Sequence, residues 1–341
     1  MRAAMIDTTG SADGIIYRET VNPVVIPGTV RVQVLASAVN NVDTFVRSGR
    51  FRTKLPMPFV VGRDLVGTVV EIGDGVSRFR HGQMVWSNSL GHDGRQGAAA
   101  EEALVPADRL YPAPPGVAPQ DLVASVHPGV TSWLALHRWA RIRSGETVLV
   151  HGGGGNVGAA AIVIARDAGA TVISTSSAAD LGYCRSLGAS VALDYRDPDG
   201  AGYLMGTWAG RVDVVIDTSG QNDLPTSVAL LARRGRIVLL AGAGALPVLP
   251  VGQLYMNDAS VIGFVISHAT VDELSDGARE ISRLLAAGTL RPRSVELRPL
   301  SSAAQVHRSL EAGELGGRRV VLVPQTSPLI ERLDGGRPLT T

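Results

Sequence analysis

Residues 148–177 read VLVHGGGGNVGAAAIVIARDAGATVISTSS. Three apolar residues of strand type, Val148 to Val150, lead into four consecutive glycines, Gly152 to Gly155. An apolar stretch without strand alternation follows, then a second strand-type run, Thr171 to Ser174. Gly153, Gly155 and Gly158 satisfy G-x-G-x-x-G. The spacing carries weight here because it follows a strand, opens a helix and precedes another strand. The first glycine permits the tight turn, the second lets backbone approach a pyrophosphate, and the third lets helix and sheet pack closely. The first-turn N–H groups, near Asn156 and Val157, are then free to face an anion. With Gly152, these residues form a candidate dinucleotide cradle. The bland alternative, a flexible glycine turn without ligand, does not account for the strand and helix on either side.

The end of the second strand bears on which dinucleotide. An NAD site places Asp or Glu there to accept from the ribose 2′-hydroxyl. This chain has Ser174-Thr175-Ser176-Ser177. Ser176 and Ser177 offer hydroxyls to a 2′-phosphate, and Tyr195-Arg196, just past the third strand, is placed to close over it. NADPH is therefore the expected cofactor. Arg196 as a solvated surface charge remains an open alternative.

The rest of the chain divides around this motif. Its 341 residues exceed the size at which one core keeps growing. Strand–helix alternation runs through Val148–Val150, Thr171–Thr175, Ser190–Leu193, Val212–Asp217, Arg236–Leu240 and Ser260–Val265. That pattern predicts an α/β fold with a parallel, doubly wound sheet. Residues 1–122 read instead as short strands (Val30–Val39, Leu65–Ile72, Glu102–Val105) punctuated by Gly and Pro, with one helix near Val42–Arg47. The expected division is a β-rich domain over 1–122, the nucleotide-binding domain over 123–266, a return to the first domain over 267–324, and a loose polar tail over 325–341. The segment 87–100 reads as a loop able to move.

Composition narrows the function classes. Apolar residues at 45% and charged residues at 18% suit a globular chain, and a formal net charge of +1 is too near neutral for a general polyanion binder. The single cysteine, Cys184, excludes an internal disulfide framework and any multi-thiolate zinc site; it reads as a small helix residue. MRAAMIDTTG lacks the apolar segment of a signal peptide, so a cytoplasmic location is expected.

Several ordered motifs carry a family resemblance: VNNVDTFVRSGRF (39–51), VVGRDLVGTVVEIGDGVSRFRHGQMV (60–85), HPGVTSWLAL (127–136), SGETVLVHGGGGNVG (144–158) and GRRVVLVP (317–324). The chain resembles the medium-chain dehydrogenase/reductase superfamily in its zinc-free quinone oxidoreductase branch, similar to ζ-crystallin. The resemblance implies a GroES-like catalytic domain split around a Rossmann domain, hydride transfer from NADPH, a small-molecule substrate and a homodimer. It places Asn40 and Thr131 beside the nicotinamide. It assigns Ser219-Gly220, Ala241-Gly242 and Phe264-Val265-Ile266 to loops that contact cofactor. The zinc ligands of other members correspond to Asn40, Arg63 and His127. Of these only His127 is a ligand type, so no metal is expected.

Two departures concern the substrate. Phe45 and Phe51 stand where relatives often carry tyrosines, and Ala99 stands where an aromatic is common. Together they predict a widened apolar pocket for a bulky substrate. The expected reaction is reduction of a quinone or another conjugated carbonyl, with Asn40 and Arg63 as candidates to stabilise developing oxyanion charge and His127 as a proton relay. For Arg63 pairing with Asp64, and for His127 capping a helix that begins near Pro128, are the structural alternatives. A double-bond reductase tailoring a biosynthetic intermediate, and an NADPH-binding protein without turnover, are the competing functional readings.

Overall fold

A computed structural model describes residues 1–334. The chain forms two compact units, residues 128–273 and residues 1–127 with 274–334. Both changes of unit fall inside helices, Pro119–Trp133 and Val271–Ala286, rather than at the expected positions 122/123 and 266/267.

The second unit holds a six-stranded parallel sheet ordered Val191–Asp194, Thr171–Ser176, Thr147–His151, Val212–Asp217, Leu231–Leu239, Ser260–Gly263. The strand that comes first in the chain, Thr147–His151, is central, and the order reverses beside it, which is the arrangement that opens a crevice at the strands' C-terminal ends. Leu149, Val150, Ile173, Val214, Val215 and Ile237 are buried completely. A sheet covered on both faces needs continuous apolar runs of this kind. Ser260–Gly263 pairs on one side only and forms an edge.

The first unit is built on a seven-stranded sheet in which Thr29–Ala38 is the hub. It pairs with Leu65–Ile72, Glu102–Pro106 and the returning strand Arg319–Val323. The outer neighbours are Val295–Pro299, Met84–Ser87 and Tyr111–Pro112. A smaller sheet joins Arg2–Ile6 to Ile16–Glu19 and Phe59–Val60. These short strands escape a periodicity reading because each is too brief to display alternation.

The segment 87–100 is packed rather than loose. Leu90, Ala98 and Ala100 are buried, and Gly97 donates to Val60 O at 2.9 Å. A Cβ on Gly97 would sit 2.2 Å from that same oxygen, so glycine is needed for the close approach. The tail also differs from expectation through residue 334. A 3-10 turn, Pro328–Ile330, buries Leu329 and is capped by Ser327, and Glu331–Asp334 is helical. Residues 335–341 of the expected tail lie outside the described residues.

Candidate functional site

The glycine loop joins strand Thr147–His151 to helix Asn156–Asp167. The N–H groups of Gly152 and Gly153 both donate to Thr175 O at 3.0 Å, which ties the turn to the neighbouring strand. Gly152 has φ +82°. A Cβ on Gly153 would lie 2.0 Å from Ser174 Oγ, and one on Gly158 would lie 2.2 Å from Gly152 O. Protein packing therefore requires both to be bare. Gly155 differs. A Cβ there would meet only Gly152 O, at 3.4 Å, an ordinary contact. Gly155 is exposed and is the N-cap of the helix, without a side-chain cap. Its bareness leaves open room beside the first-turn N–H groups of Asn156, Val157 and Gly158, which have no intrahelical acceptors. Cys184 is buried, its Sγ 3.2 Å from the place a Gly153 Cβ would take.

The other loops at this edge converge on the turn. Thr218 Oγ1 donates to His151 O at 2.7 Å and would lie 2.6 Å from a Cβ on Gly152. Ser219 donates from both N and Oγ to Asp217 Oδ1. A Cβ on Gly220 would be 3.2 Å from Gly242 N, and Asn222 Nδ2 donates to Ala241 O at 3.2 Å. Ser219, Gly220, Ala241 and Gly242 thus form adjoining rims. Past the edge strand, Phe264 stacks on Trp139 with centroids 5.8 Å apart, Val265 is half-buried, and Ile266 is buried. Thr131 is buried in helix Pro119–Trp133.

The end of the second strand holds a carboxylate that strand position alone conceals. The 3-10 turn Ala178–Asp180 brings Asp180 back, so that Ser177 Oγ donates to its Oδ2 at 2.8 Å. The same oxygen would lie 2.5 Å from a Cβ on Gly154. Ser176 is buried and its hydroxyl donates to Ser177 O. Tyr195 N donates to Ser176 O at 3.1 Å, which sets Tyr195 and Arg196 beside these serines; the guanidinium of Arg196 lies 4.8 Å from the centre of the Tyr195 ring.

In the first unit a buried polar centre gathers Asn40, Asp43, Asp64, His127 and Arg319. Asn40 precedes helix Asn41–Ser48 and its N–H donates to Asp43 Oδ2 at 2.8 Å, a reciprocal cap at helix start. Its Nδ2 donates to Asp64 Oδ2 at 2.8 Å, and its Oδ1 accepts from Arg319 Nη2 at 2.9 Å. Both ends of the Asn40 amide are engaged within the protein. His127 Nδ1 stands 3.5 Å from Asp64 Oδ1. Burial pushes the His127 pKa down, against the pull of Asp64. Burial, then the charge of Asp64, pushes Asp43 up to about 7. His127 lies within its helix, which runs through Pro128 to Trp133, so it does not cap a helix starting there.

Arg63 is buried, with Nε and Nη2 unbonded among the described residues, and no ion pair joins it to Asp64. Both Asn88 amide atoms are likewise buried without partners. Burial lowers the Arg63 pKa, opposed by Asp43 and Asp64. Asp64 and Arg319 enter these sites through tertiary contacts that distant sequence positions do not announce, and Asp43 and Asp180 through local turns. The N-x-x-D spacing of Asn40 and Asp43 at a helix start was the one local signal available.

Residues 26–115 match the alcohol dehydrogenase GroES-like domain and residues 156–283 the zinc-binding dehydrogenase domain. The chain is 30% identical over 331 residues to the quinone oxidoreductase of Mus musculus, covering 95% of this chain and 98% of that one. It belongs to the quinone oxidoreductase branch of the medium-chain dehydrogenase/reductases. The Escherichia coli quinone oxidoreductase, solved in complex with NADPH, superposes with TM-score 0.83 at 25% identity, over 95% of this chain and all of that one. A stretch of the phthioceranic/hydroxyphthioceranic acid synthase of Mycobacterium bovis is 33% identical over 319 residues, 88% of this chain but 14% of that much longer enzyme. As a member of the quinone oxidoreductase branch, the chain is an oxidoreductase that uses a nicotinamide cofactor and a small-molecule substrate. No helix among the described residues is long and apolar enough to cross a membrane.

Asn40, Arg63 and His127 do not suit the zinc ion that one matching domain's name implies. Among Asn40, Arg63 and His127 only the histidine is a metal-ligand type. The Asn40 amide is committed to Asp64 and Arg319, and the guanidinium of Arg63 would repel a cation. Phe45 is half-buried with the Arg50 guanidinium 5.1 Å from its ring centre, and Phe51 packs against the core and donates its N–H to Phe45 O at 2.9 Å. Ala99 is not at an opening. It is buried among Ala4, Phe59 and Val61, held by hydrogen bonds to Ala4 and Val61. Its small side chain fits against the bare face of Gly62, and so it widens no pocket in this unit.

Proposed function

We propose that the protein reduces a quinone or another conjugated carbonyl with NADPH, without a metal, as a cytoplasmic homodimer. The observation that carries the reading is Gly155: its side chain is missing where protein packing would accept one, beside three donor N–H groups. Those groups and the helix N-terminus suit a diphosphate. Tyr195 and Arg196 are the groups for the 2′-phosphate, and Asp180, which holds the Ser177 hydroxyl hydrogen, is the group that opposes it. Bound there, NADPH would supply a hydride, and the acceptor would take it together with one proton.

The buried centre positions the catalytic face. Arg319 and Asp64 hold the Asn40 amide in one orientation, which makes Asn40 a positioning residue for its helix. Neutral His127, backed by Asp64, is suited to pass a proton on rather than to store one. Arg63, a buried cation with unbonded donors, is suited to stabilise charge developing on the acceptor's oxygen.

Steady-state oxidation of NADPH with a panel of quinones and α,β-unsaturated ketones tests the reading. Turnover with quinones supports it, and turnover confined to enones supports the second reading, a double-bond reductase, which the similarity to part of a mycobacterial acid synthase favours. Tight NADPH binding with no turnover on any acceptor overturns both and promotes the binding-protein reading. An Arg63→Met enzyme with unchanged kcat removes Arg63 from the mechanism.

A further inference from the structure

A cavity of about 670 Å³ opens at the N-terminal ends of the parallel strands, away from the glycine loop at their C-terminal ends. Six arginines line it: Arg138, Arg141, Arg143, Arg233, Arg234 and Arg236. Three are neutralised. Arg138 pairs with Glu273, Arg233 with Asp258 and Arg236 with Glu146. Arg141, Arg143 and Arg234 are exposed and have no acidic partner among the described residues. Of the two acids in the lining, Glu146 pairs with Arg236, while Asp213 accepts from Thr147 N at 2.8 Å and keeps its charge, one carboxylate against three unpaired guanidinium groups. Three unpaired cations therefore converge on one concavity, although the whole chain is close to neutral.

Backbone conformation adds a second observation. Arg141 and Arg234 have φ of +50° and +64°, the left-handed region. Glycine takes that conformation without penalty, and asparagine or aspartate with little; arginine does not. Both strained positions lie on the lining of the same cavity. Folding alone would favour glycine at both. A pair of strained cations at one hollow is the mark of a site that needs their charge.

We propose that this hollow binds the clustered phosphates of a small-molecule ligand, at a site separate from the dinucleotide. Guanidinium groups match phosphate oxygens bidentately, and the volume falls within the range of small-molecule sites. The ring of Trp139 is already covered by Phe264 and by Arg138. Recognition therefore rests on the phosphates rather than on stacking. A nucleotide and a coenzyme A thioester both present that chemistry.

The test is calorimetry on the full chain with NADPH saturating, at about 150 mM salt to screen weak attraction. The probes are inorganic tripolyphosphate, ATP and coenzyme A. Binding of tripolyphosphate beside NADPH is expected, and the tighter of the two organic probes identifies the source. The Arg141→Gly/Arg234→Gly variant relaxes both backbones, so its Tm should hold or rise while tripolyphosphate affinity falls by about tenfold or more. Arg143→Gln, which leaves the backbone untouched, should weaken binding in the same direction. Absence of binding, competition with NADPH, or wild-type affinity in both variants overturns the proposal.

Discussion

Arg319 Nε donates to Ala124 O at 2.9 Å, the carbonyl that Pro128 deprives of its helical partner. Proline has no N–H for the residue four positions back, and an arginine from the returning strand Arg319–Val323 supplies the donor instead. The same guanidinium reaches Asn40 Oδ1 at 2.9 Å and Val39 O at 3.3 Å. One side chain thus donates to three buried acceptors on three segments of the chain. Arg319→Met is expected to lose about 3 kcal/mol of stability in urea titration. Pro128→Ala in that background restores a helical N–H and should recover about 1 kcal/mol. Equal losses in the single and double variants would detach the arginine from the proline.

Asp43 makes stability depend on pH in the neutral range. Its folded pKa of about 7 lies above the 3.8 of a free carboxyl. The folded state therefore holds the proton more tightly. The stabilisation is complete below pH 3.8 and lost as pH rises to about 7. Asp43→Asn keeps an acceptor for the Asn40 N–H and removes the titration. Its stability relative to wild type should climb between pH 4 and 7 and level off above; a flat difference would contradict the assignment.

His307 acts in the opposite sense. It is buried completely, with both ring nitrogens unbonded among the described residues, and burial pushes its pKa down to about 3. Its unfolded value near 6.5 is higher, so stability is present above pH 6.5 and lost as pH falls toward 3. His307→Leu should raise stability at pH 7 by about 1 kcal/mol by removing an unpaired polar group. It should also reduce acid sensitivity between those pH values, read from Tm against pH.

The glycine loop separates packing from ligand binding. Gly158→Ala forces a methyl against Gly152 O and should destabilise the fold as well as weaken NADPH binding. Gly155→Ala meets nothing closer than 3.4 Å. Its Tm should stay within about 1 °C of wild type while NADPH affinity drops by tenfold or more, about 1.4 kcal/mol. Unchanged affinity in Gly155→Ala would remove the main support for the cofactor cradle.

Asp180 is expected to bear on the choice between the two nicotinamide cofactors. A carboxylate at the end of the second strand accepts from a ribose 2′-hydroxyl and repels a 2′-phosphate. Asp180→Asn should raise kcat/KM for NADPH by about tenfold and leave that for NADH level or lower. The same factor for both cofactors would place Asp180 outside the adenosine end of the site.

The parallel sheet and its glycine loop were legible in the residues because their causes are local. Apolar runs such as Val148 to Val150 alternate with helices, and a tight turn with close helix contact admits only glycine at Gly153 and Gly158. The Asn40 helix cap was also within reach of local spacing. Three-dimensional packing alone decided the rest. Asp64 and Arg319 meet Asn40, and His127 meets Asp64, because the hub strand Thr29–Ala38 pairs with distant partners, and no spacing rule links positions 40, 64 and 319. Ala99 sits in the core because its backbone bonds to Ala4 and Val61 and its small side chain fits against Gly62. Asp180 faces the loop because a 3-10 turn folds back over the strand end. Short-range sterics and hydrophobic periodicity are written along the chain, whereas charge pairing and burial depend on which distant segments the fold brings together.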